Sequence, residues 1–305
     1  MNEVLRIGTR GSPLALAQAH ETRGRLMAAE GLPESAFQIV VISTTGDRVL
    51  DRPLSQIGGK GLFTREIEDA LLAREIDIAV HSLKDMPTLQ PEGLVLDCFL
   101  PREDPRDAFV SYQFTSISDL PIGSVVGTSS LRRVAQLLAV RPDLKTVALR
   151  GNVGTRLKKL QAGEAVATFL AMAGLKRLGL GDVPKHPIDP GDMLPAVCQG
   201  VIAIERRADD TLTAERLSAI HHPETGIRVT CERAYLARLD GSCQTPIAGL
   251  AFMEGEQISL RGEILKPDGS ARHRGVESGP IGEAAAIGRA LAERLLSEAG
   301  PGFLA

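Results

Sequence analysis

The sequence predicts an α/β protein of two lobes with mixed sheets, followed by a small α+β C-terminal domain. Three observations carry that expectation. Strand-like and helix-like patterns alternate through the first hundred residues, the grammar of a parallel or mixed sheet. The alternation restarts after PREDPRDAF. From about residue 222 it gives way to one long helical stretch, short strands joined by turn signals, and a last helix. A length of 305 residues suits two or three domains better than one core.

The elements can be justified in order. VLRIGTR (4–10) reads as a strand, and Ser12-Pro13 supplies an N-cap and first-turn pair for a helix through about Glu30. FQIVVIST (37–44) is a second strand. FTREIEDALLAREI (63–76) places Ile67, Ala70, Leu71 and Ile76 near one helical face. DIAVHSL (77–83) is a third strand, ending in the loop KDMPTLQPEG. In the second half, SVVGTSS (124–130) enters the helix LRRVAQLLAV, and KTVALRG (145–151) enters NVGTRLKKLQAGE. AVATFLAMAGL reads as a strand turning into a short helix. Beyond residue 222, ETGIRVTCERAYLARLDG is a helix with a glycine stop. TPIAGLAFM, QISLRGEIL and ARHRGVES are strands separated by the turn signals GEQ and PDGS. The last helix carries Ile287, Ala290, Leu291 and Leu295 on one stripe.

Composition excludes several function classes. A net charge of −3 argues against wholesale wrapping of nucleic acid, and the lack of Trp, with only two Tyr, removes stacking platforms for single strands. No run approaches a membrane-spanning length, and MNEVLRIGTR lacks the charged-then-apolar pattern of an export signal, so a cytoplasmic location is expected. A reducing compartment disfavours disulfides among Cys98, Cys198, Cys231 and Cys243, and their spacing offers no zinc site. Cys243, on the turn of LDGSCQTPIAG, is left as either a buried or a reactive thiol.

The basic residues form the most informative pattern. Arg10 ends the first strand, Arg132 and Arg133 follow the TSS turn, Arg150 ends a strand and Arg156 lies in the next helix. Junctions of strand ends with helix N-termini aim free N–H groups at one place, and arginines there favour an anion. The planar guanidinium suits carboxylate or phosphate. Each arginine alone also fits a solvated helix face. GGKGLF (58–63) lacks the hydroxyl residue and spacing of a P-loop, and no G-x-G-x-x-G follows a strand, so nucleotide binding is poorly supported. In HSLKDMP (81–87), Asp85 sits on a turn made rigid by Pro87. It reads either as a turn residue paired with Lys84 or as a carboxylate held for chemistry.

RIGTRGSPLALAQ, GGKGLFTREIE, IAVHSLKDMPT, GTSSLRR, LRGNVGTRL, LAMAGLKRLG and ERAYLARLDGSCQTPIAG, in that order and spread almost end to end, resemble the porphobilinogen deaminase (hydroxymethylbilane synthase) family. The resemblance implies two periplasmic-binding-protein-like lobes, 1–100 with about 198–220 and 101–197, plus a C-terminal domain, 221–305. It implies a monomeric transferase of porphyrin and heme biosynthesis. Four porphobilinogen molecules are condensed head to tail, with release of ammonia, into a linear tetrapyrrole that a downstream uroporphyrinogen-forming enzyme can take up. It implies a covalent dipyrromethane cofactor in thioether linkage to Cys243, and catalysis by Asp85. Lys84, Asp85, Ser130, Arg132 and Arg133 fall on cofactor-binding positions. Arg10, Ser12, Thr128, Arg150, Arg156, Arg177 and Gln199 fall on positions that bind substrate carboxylates or line the same site.

Three positions depart from the family pattern. Cys198 stands where glycine is usual, Val166 where an Asp is common, and Ser242 where a second Gly is frequent. Two other classes account for parts of the sequence. A solute-binding protein would share the two lobes but needs neither the third domain nor its cysteine. A cysteine hydrolase would need a histidine beside Cys243, and His81 is the one histidine within the quoted motifs.

Overall fold

The computed structural model describes residues 4–48, 64–241 and 245–304. The chain begins with β1 (Leu5–Thr9), α1 (Pro13–Glu30), β2 (Phe37–Val41), α2 (Thr45–Arg48), α3 (Arg65–Leu72), β3 (Ile78–Ser82) and β4 (Leu94–Phe99). It continues with β5 (Asp107–Val110), β6 (Val125–Gly127), α4 (Leu131–Val140), β7 (Lys145–Val147), α5 (Val153–Gln161), β8 (Ala167–Ala171), α6 (Met172–Arg177) and β9 (Lys185–Pro187). Then follow β10 (Ile202–Arg207), α7 (Thr211–Ser218), α8 (Pro223–Arg238), β11 (Ile247–Glu254), β12 (Gln257–Leu265), β13 (Arg272–Pro280) and α9 (Ala284–Ala299). Two compact units result: Met1–Glu103 with Val201–Gly226, and Asp104–Gly200 with Ile227–Ala305.

The first unit holds a five-stranded mixed sheet in the order β2-β1-β3-β10-β4. β1, β2 and β3 run parallel, whereas β10 returns antiparallel, placing Ile202 opposite Ser82. Leu26 and Ala19 of α1 and Leu217 of α7 cover one face over Ile7, Ile78, Val80 and Ile204. Ile67 and Leu71 of α3 pack with Ile76, Ala79 and Leu94 in a separate apolar cluster. The helix expected over 63–76 stops earlier, at Leu72. Arg74 adopts φ 59°, a left-handed turn that ends the helix and sends Ile76 into the core. α1 begins and ends as its sequence predicts, with Ser12 accepting from Ala15 N and Gly31 at φ 65° closing it.

The second unit contains a five-stranded sheet, β7-β6-β8-β5-β9, and a three-stranded meander, β11-β12-β13. β6, β7 and β8 are parallel, and β5 runs antiparallel to β8 with Asp107 opposite Ala171. Apolar clusters join this sheet to α4 through Leu137 and to α5 through Leu157 and Leu160. Val166 is half-buried against the cluster of Phe109, Val126 and Phe169, an apolar setting that suits valine. The meander carries α9 on one side, and α9 meets α8 closely at Gly288, where a Cβ would strike the Cys231 carbonyl. Leu194, Ala248 and Leu250 seat the meander against the rest of the unit. At φ 75°, Gly269 lets the β12–β13 turn approach the α4 backbone, where a Cβ would lie 2.5 Å from Ala139 N.

Candidate active site

In the first unit, the ends of the parallel strands β1 and β3 gather the expected residues at one sheet edge. Arg10 follows β1 and is half-buried. Ser12 accepts from Ala15 N at 3.2 Å, and Thr9 Oγ1 donates to Ala15 O at 3.2 Å, tying the strand end to the first turn of α1. Gln18 of α1 exchanges two hydrogen bonds with Ser82, at 2.8 and 3.1 Å, which holds α1 to the end of β3.

Directly after Ser82 comes a single 3₁₀ turn, Leu83–Asp85. Leu83 N donates to Val201 O at 3.0 Å, and Met86 N donates to Leu83 O at 3.1 Å. Leu83 and Met86 are both buried, so the turn is anchored on either side and its intervening residues point outward. Lys84 is half-buried and Asp85 is exposed. Among the described residues, no hydrogen bond or ion pair engages the Asp85 carboxylate, so the pairing with Lys84 that a plain turn would offer is not made.

A second titratable group lies beneath this edge. His81 of β3 places Nε2 3.2 Å from a Glu205 oxygen of β10, and both side chains are buried. Burial raises the Glu68 pKa above the ordinary carboxylate value, and the neighbouring Glu205 charge adds to the shift. His81, the histidine that could have served a thiol, is thereby committed to a carboxylate. Cys243, Ser242 and the GGKGLF stretch at 58–63 lie outside the described residues.

In the second unit the corresponding edge is built by β6, β7 and β8. Gly127 ends β6 without a side chain because a Cβ there would collide with Leu149. Thr128 N donates to Val147 O at 2.8 Å, and Thr128 Oγ1 accepts from Ser130 N at 3.2 Å. Ser130 caps α4 by accepting from Arg133 N. After β7, Arg150 is half-buried, Gly151 takes φ 108°, and Asn152 caps α5 by accepting from Thr155 N at 2.9 Å. Arg156 Nε donates to Gly151 O at 2.9 Å, folding its side chain back toward the start of α5. Arg177, at the end of α6, donates to Gly200 O at 3.2 Å.

Arg132 and Arg133 depart from the expectation of an open anion site. Both are only 5% exposed, and both are bound to Asp107. Arg132 Nη1 donates to Asp107 Oδ2 at 2.8 Å, to Gln136 Oε1 at 2.9 Å and to Leu194 O at 2.9 Å. Arg133 donates to Asp107 Oδ1 at 2.7 Å and to Phe169 O at 2.8 Å. The reason is topological: β5 runs against β8, so its first residue, Asp107, arrives at the same edge as the α4 N-terminus. Gln199 joins them, donating to Asp107 Oδ1 at 2.9 Å and to Pro105 O at 2.8 Å. Burial pushes the Asp107 pKa up, but the two guanidinium charges and their hydrogen bonds outweigh it and hold the carboxyl well below the usual range.

Sequence reasoning missed Asp107, reading PREDPRDAF only as the break between lobes. The available signal was an acid opening the apolar run DAFV, since a carboxylate starting a buried strand requires a cationic partner. The departure at Cys198, which stands where glycine is usual, also has a structural consequence. The thiol is buried, but its backbone stands at φ 61°, the left-handed region that favours glycine. Its N–H donates to the buried Glu232 carboxylate at 2.6 Å, and the other Glu232 oxygen accepts from Ala251 N at 2.8 Å.

A family model described as porphobilinogen deaminase, dipyromethane cofactor binding domain, matches residues 5–215, and one described as the C-terminal domain of porphobilinogen deaminase matches residues 226–297. The porphobilinogen deaminase of Paracoccus denitrificans (strain Pd 1222) is 69% identical over 299 residues, covering 98% of this chain and 96% of that one. The chain belongs to the porphobilinogen deaminase family. Among solved structures, the periplasmic VFT2 domain of Bordetella pertussis BvgS is similar at 14% identity with a TM-score of 0.42, covering 72% of this chain and 87% of that one. A probable amino-acid ABC transporter extracellular-binding protein of Bacillus subtilis is similar at 11% identity and TM-score 0.42, covering 71% of this chain and 88% of that one.

Membership in the deaminase family can be tested against the chemistry of the two edges. A dipyrromethane is a polycarboxylate with pyrrole N–H donors. The first unit offers Arg10 and Lys84 as cations and Asp85 as a carboxylate that no described residue engages. The second offers Thr128, the α4 N-terminus at Ser130, Arg150 and Arg156. Each edge by itself offers cationic or N–H donors suited to carboxylates, and the first adds an exposed anion suited to pyrrole N–H groups. Among the described residues no helix is long and apolar enough to cross a membrane, and no cluster of His, Cys, Asp or Glu is arranged to hold a metal ion.

Proposed function

We propose that this chain condenses four porphobilinogen molecules head to tail into hydroxymethylbilane, releasing ammonia, with Asp85 as the catalytic carboxylate. The observation that carries the reading is the Asp85 turn. Its backbone is pinned by buried Leu83 and Met86, while its exposed carboxylate is left unengaged by the described residues. A carboxylate held in place without a fixed partner is prepared to meet positive charge as that charge develops.

Cys243 would hold the dipyrromethane through its thioether sulfur, with Lys84 and Ser130 as donors to its carboxylates. When bound, the dipyrromethane supplies the pyrrole carbon that adds to the incoming unit. Arg132 and Arg133 fall on cofactor-binding positions of the family. Because Arg132 Nη1 and both terminal nitrogens of Arg133 are bonded to Asp107 and to backbone carbonyls, we assign the two arginines the fixing of the first turn of α4 as well as a cationic setting for the cofactor's carboxylates. Arg10, Arg150, Arg156 and Arg177 bind acetate and propionate groups of substrate, assisted by Ser12, Thr128 and Gln199. Such anchoring brings the reacting carbons together, which is the proximity contribution. As ammonia leaves porphobilinogen, positive charge spreads onto its pyrrole nitrogen. Asp85 accepts the N–H hydrogen bond and stabilises that charge. The chain acts as a monomer in the cytoplasm, and its product passes to a uroporphyrinogen-forming enzyme.

The test is an intact mass of the denatured protein together with an ammonia assay on porphobilinogen. Two added pyrrole units on the chain, absent in Cys243→Ser, support the reading. An unmodified chain that binds porphobilinogen without releasing ammonia would favour a solute-binding protein instead.

A further inference from the structure

We infer that Asp107 is a positioning residue for the carboxylate-binding edge of the second unit, acting through Arg132, Arg133 and Gln199. No residue in the hydrogen-bonded set around it belongs to its own strand. Arg132 and Arg133 come from the first turn of α4, and Gln199 from the segment that precedes β10. The carboxylate is completely buried, and its two oxygens receive three side-chain donors at 2.7 to 2.9 Å. A bridge of this kind sets where the α4 N-terminus stands, and with it Ser130, whose side chain caps that turn.

The set does not end at Arg132. Gln136, one turn along α4, accepts from Arg132 and donates to the buried Glu263 carboxylate of β12 at 2.6 Å. Glu263 is held from its other oxygen by Arg274 Nε at 2.6 Å. A continuous polar chain therefore runs from the C-terminal meander through α4 to Asp107. Low-dielectric burial makes the links from Glu263 to Asp107 stiff, because a displaced partner would leave a charge uncompensated. The Nε atoms of Arg132 and Arg133 have no hydrogen-bond partner, so the forks are oriented by their terminal nitrogens alone. Moving the Asp107 oxygens would swing both side chains and the turn that bears them.

The inference rests on the deaminase reading, and one set of measurements separates the two. Asp107→Glu keeps the charge and moves it by one methylene. Asp107→Asn keeps the shape and removes the charge. Each is compared with wild type for thermal midpoint, for pyrrole units added to the chain by intact mass, and for KM and kcat on porphobilinogen well below the midpoint. Small misplacements of binding groups cost about 10²-fold in rate when they act on the reacting geometry. The expectation for folded Asp107→Glu is a KM raised by about tenfold or more with kcat within about threefold, or a fraction of chains lacking pyrrole units. A folded variant with wild-type KM and full loading overturns the inference, and so does an Asp107→Glu protein that fails to fold at all, which would make the residue purely structural. Failure of Asp107→Asn to fold leaves the decision to Asp107→Glu. A wild-type chain without pyrrole units or ammonia release overturns the functional reading and the inference together, whereas an active wild type with normal variants overturns the inference alone.

Discussion

Asp85 and Asp107 both stand at an edge where strands meet helices, and the structure treats them in opposite ways. Asp85 is exposed on a turn whose neighbours are buried, and no described residue engages its carboxylate. Asp107 is wholly buried and shared among two arginines and a glutamine. A carboxylate that must respond to a charge appearing during a reaction has to be left unsatisfied by the protein. One that organises cations has to be saturated, because a buried charge lacking partners is far more costly than an exposed one. With Asp85 in its proposed role, the same side chain serves reaction or architecture according to whether its neighbours approach it.

The contrast can be broken most sharply at Asp85. Asp85→Asn is expected to lower kcat by about 10²–10³-fold while leaving the thermal midpoint unchanged, since no described contact is lost. Steady-state kinetics beside a melting curve checks it, and near-normal turnover would end the assignment of Asp85 as the catalytic group. At Asp107 the order of effects reverses. Asp107→Ala strands two buried guanidinium groups and is expected to cost about 3–5 kcal/mol in urea unfolding. The pH dependence follows with a definite sign. The folded-state pKa is held below the unfolded value, so the stabilisation is complete above about pH 4 and is lost as the pH falls below it. Asp107→Asn should remove that part of the acid dependence, read from midpoints collected across the range.

Two smaller changes sharpen the boundary between the regions. Ser130→Ala removes the cap of α4 and is expected to cost about 1 kcal/mol, with a larger effect on KM than on kcat. Equal stability for this variant would show that the turn is held by Arg132 and Arg133 alone. Cys198→Gly relieves a left-handed backbone and is expected to stabilise the fold by less than about 1 kcal/mol, the gain being offset by lost thiol burial and greater freedom in the unfolded chain. A loss of stability there would mean that packing of the thiol outweighs the backbone preference.

The strands with strong local pattern were legible. DIAVHSL contains β3, and AVATFLAMAGL contains β8 and the start of α6 in the expected strand-to-helix order. The Asp85 turn was legible too, because Pro87 and the apolar flanks of HSLKDMP are local signals. The return of β10 to the first lobe came only from the family resemblance, which puts about 198–220 there, and its place between β3 and β4 was not legible, since VIAIERR carries no mark of the strands it joins. The short helix end at Leu72 was missed because Ile76 continues the helical stripe in sequence although Arg74 turns the chain away.

Arg132 and Arg133 show where local reading stops. Their place after a strand end and before a helix was determined by the sequence alone, as were the caps at Ser12 and Ser130 and the rigid turn of Asp85, because each depends on residues a few positions apart. That both are buried and share the single Asp107 carboxylate inside the second unit was decided only by tertiary structure. It takes an antiparallel β5 to carry Asp107 to the α4 N-terminus, and pairing between segments distant in the chain leaves no period or motif in either one.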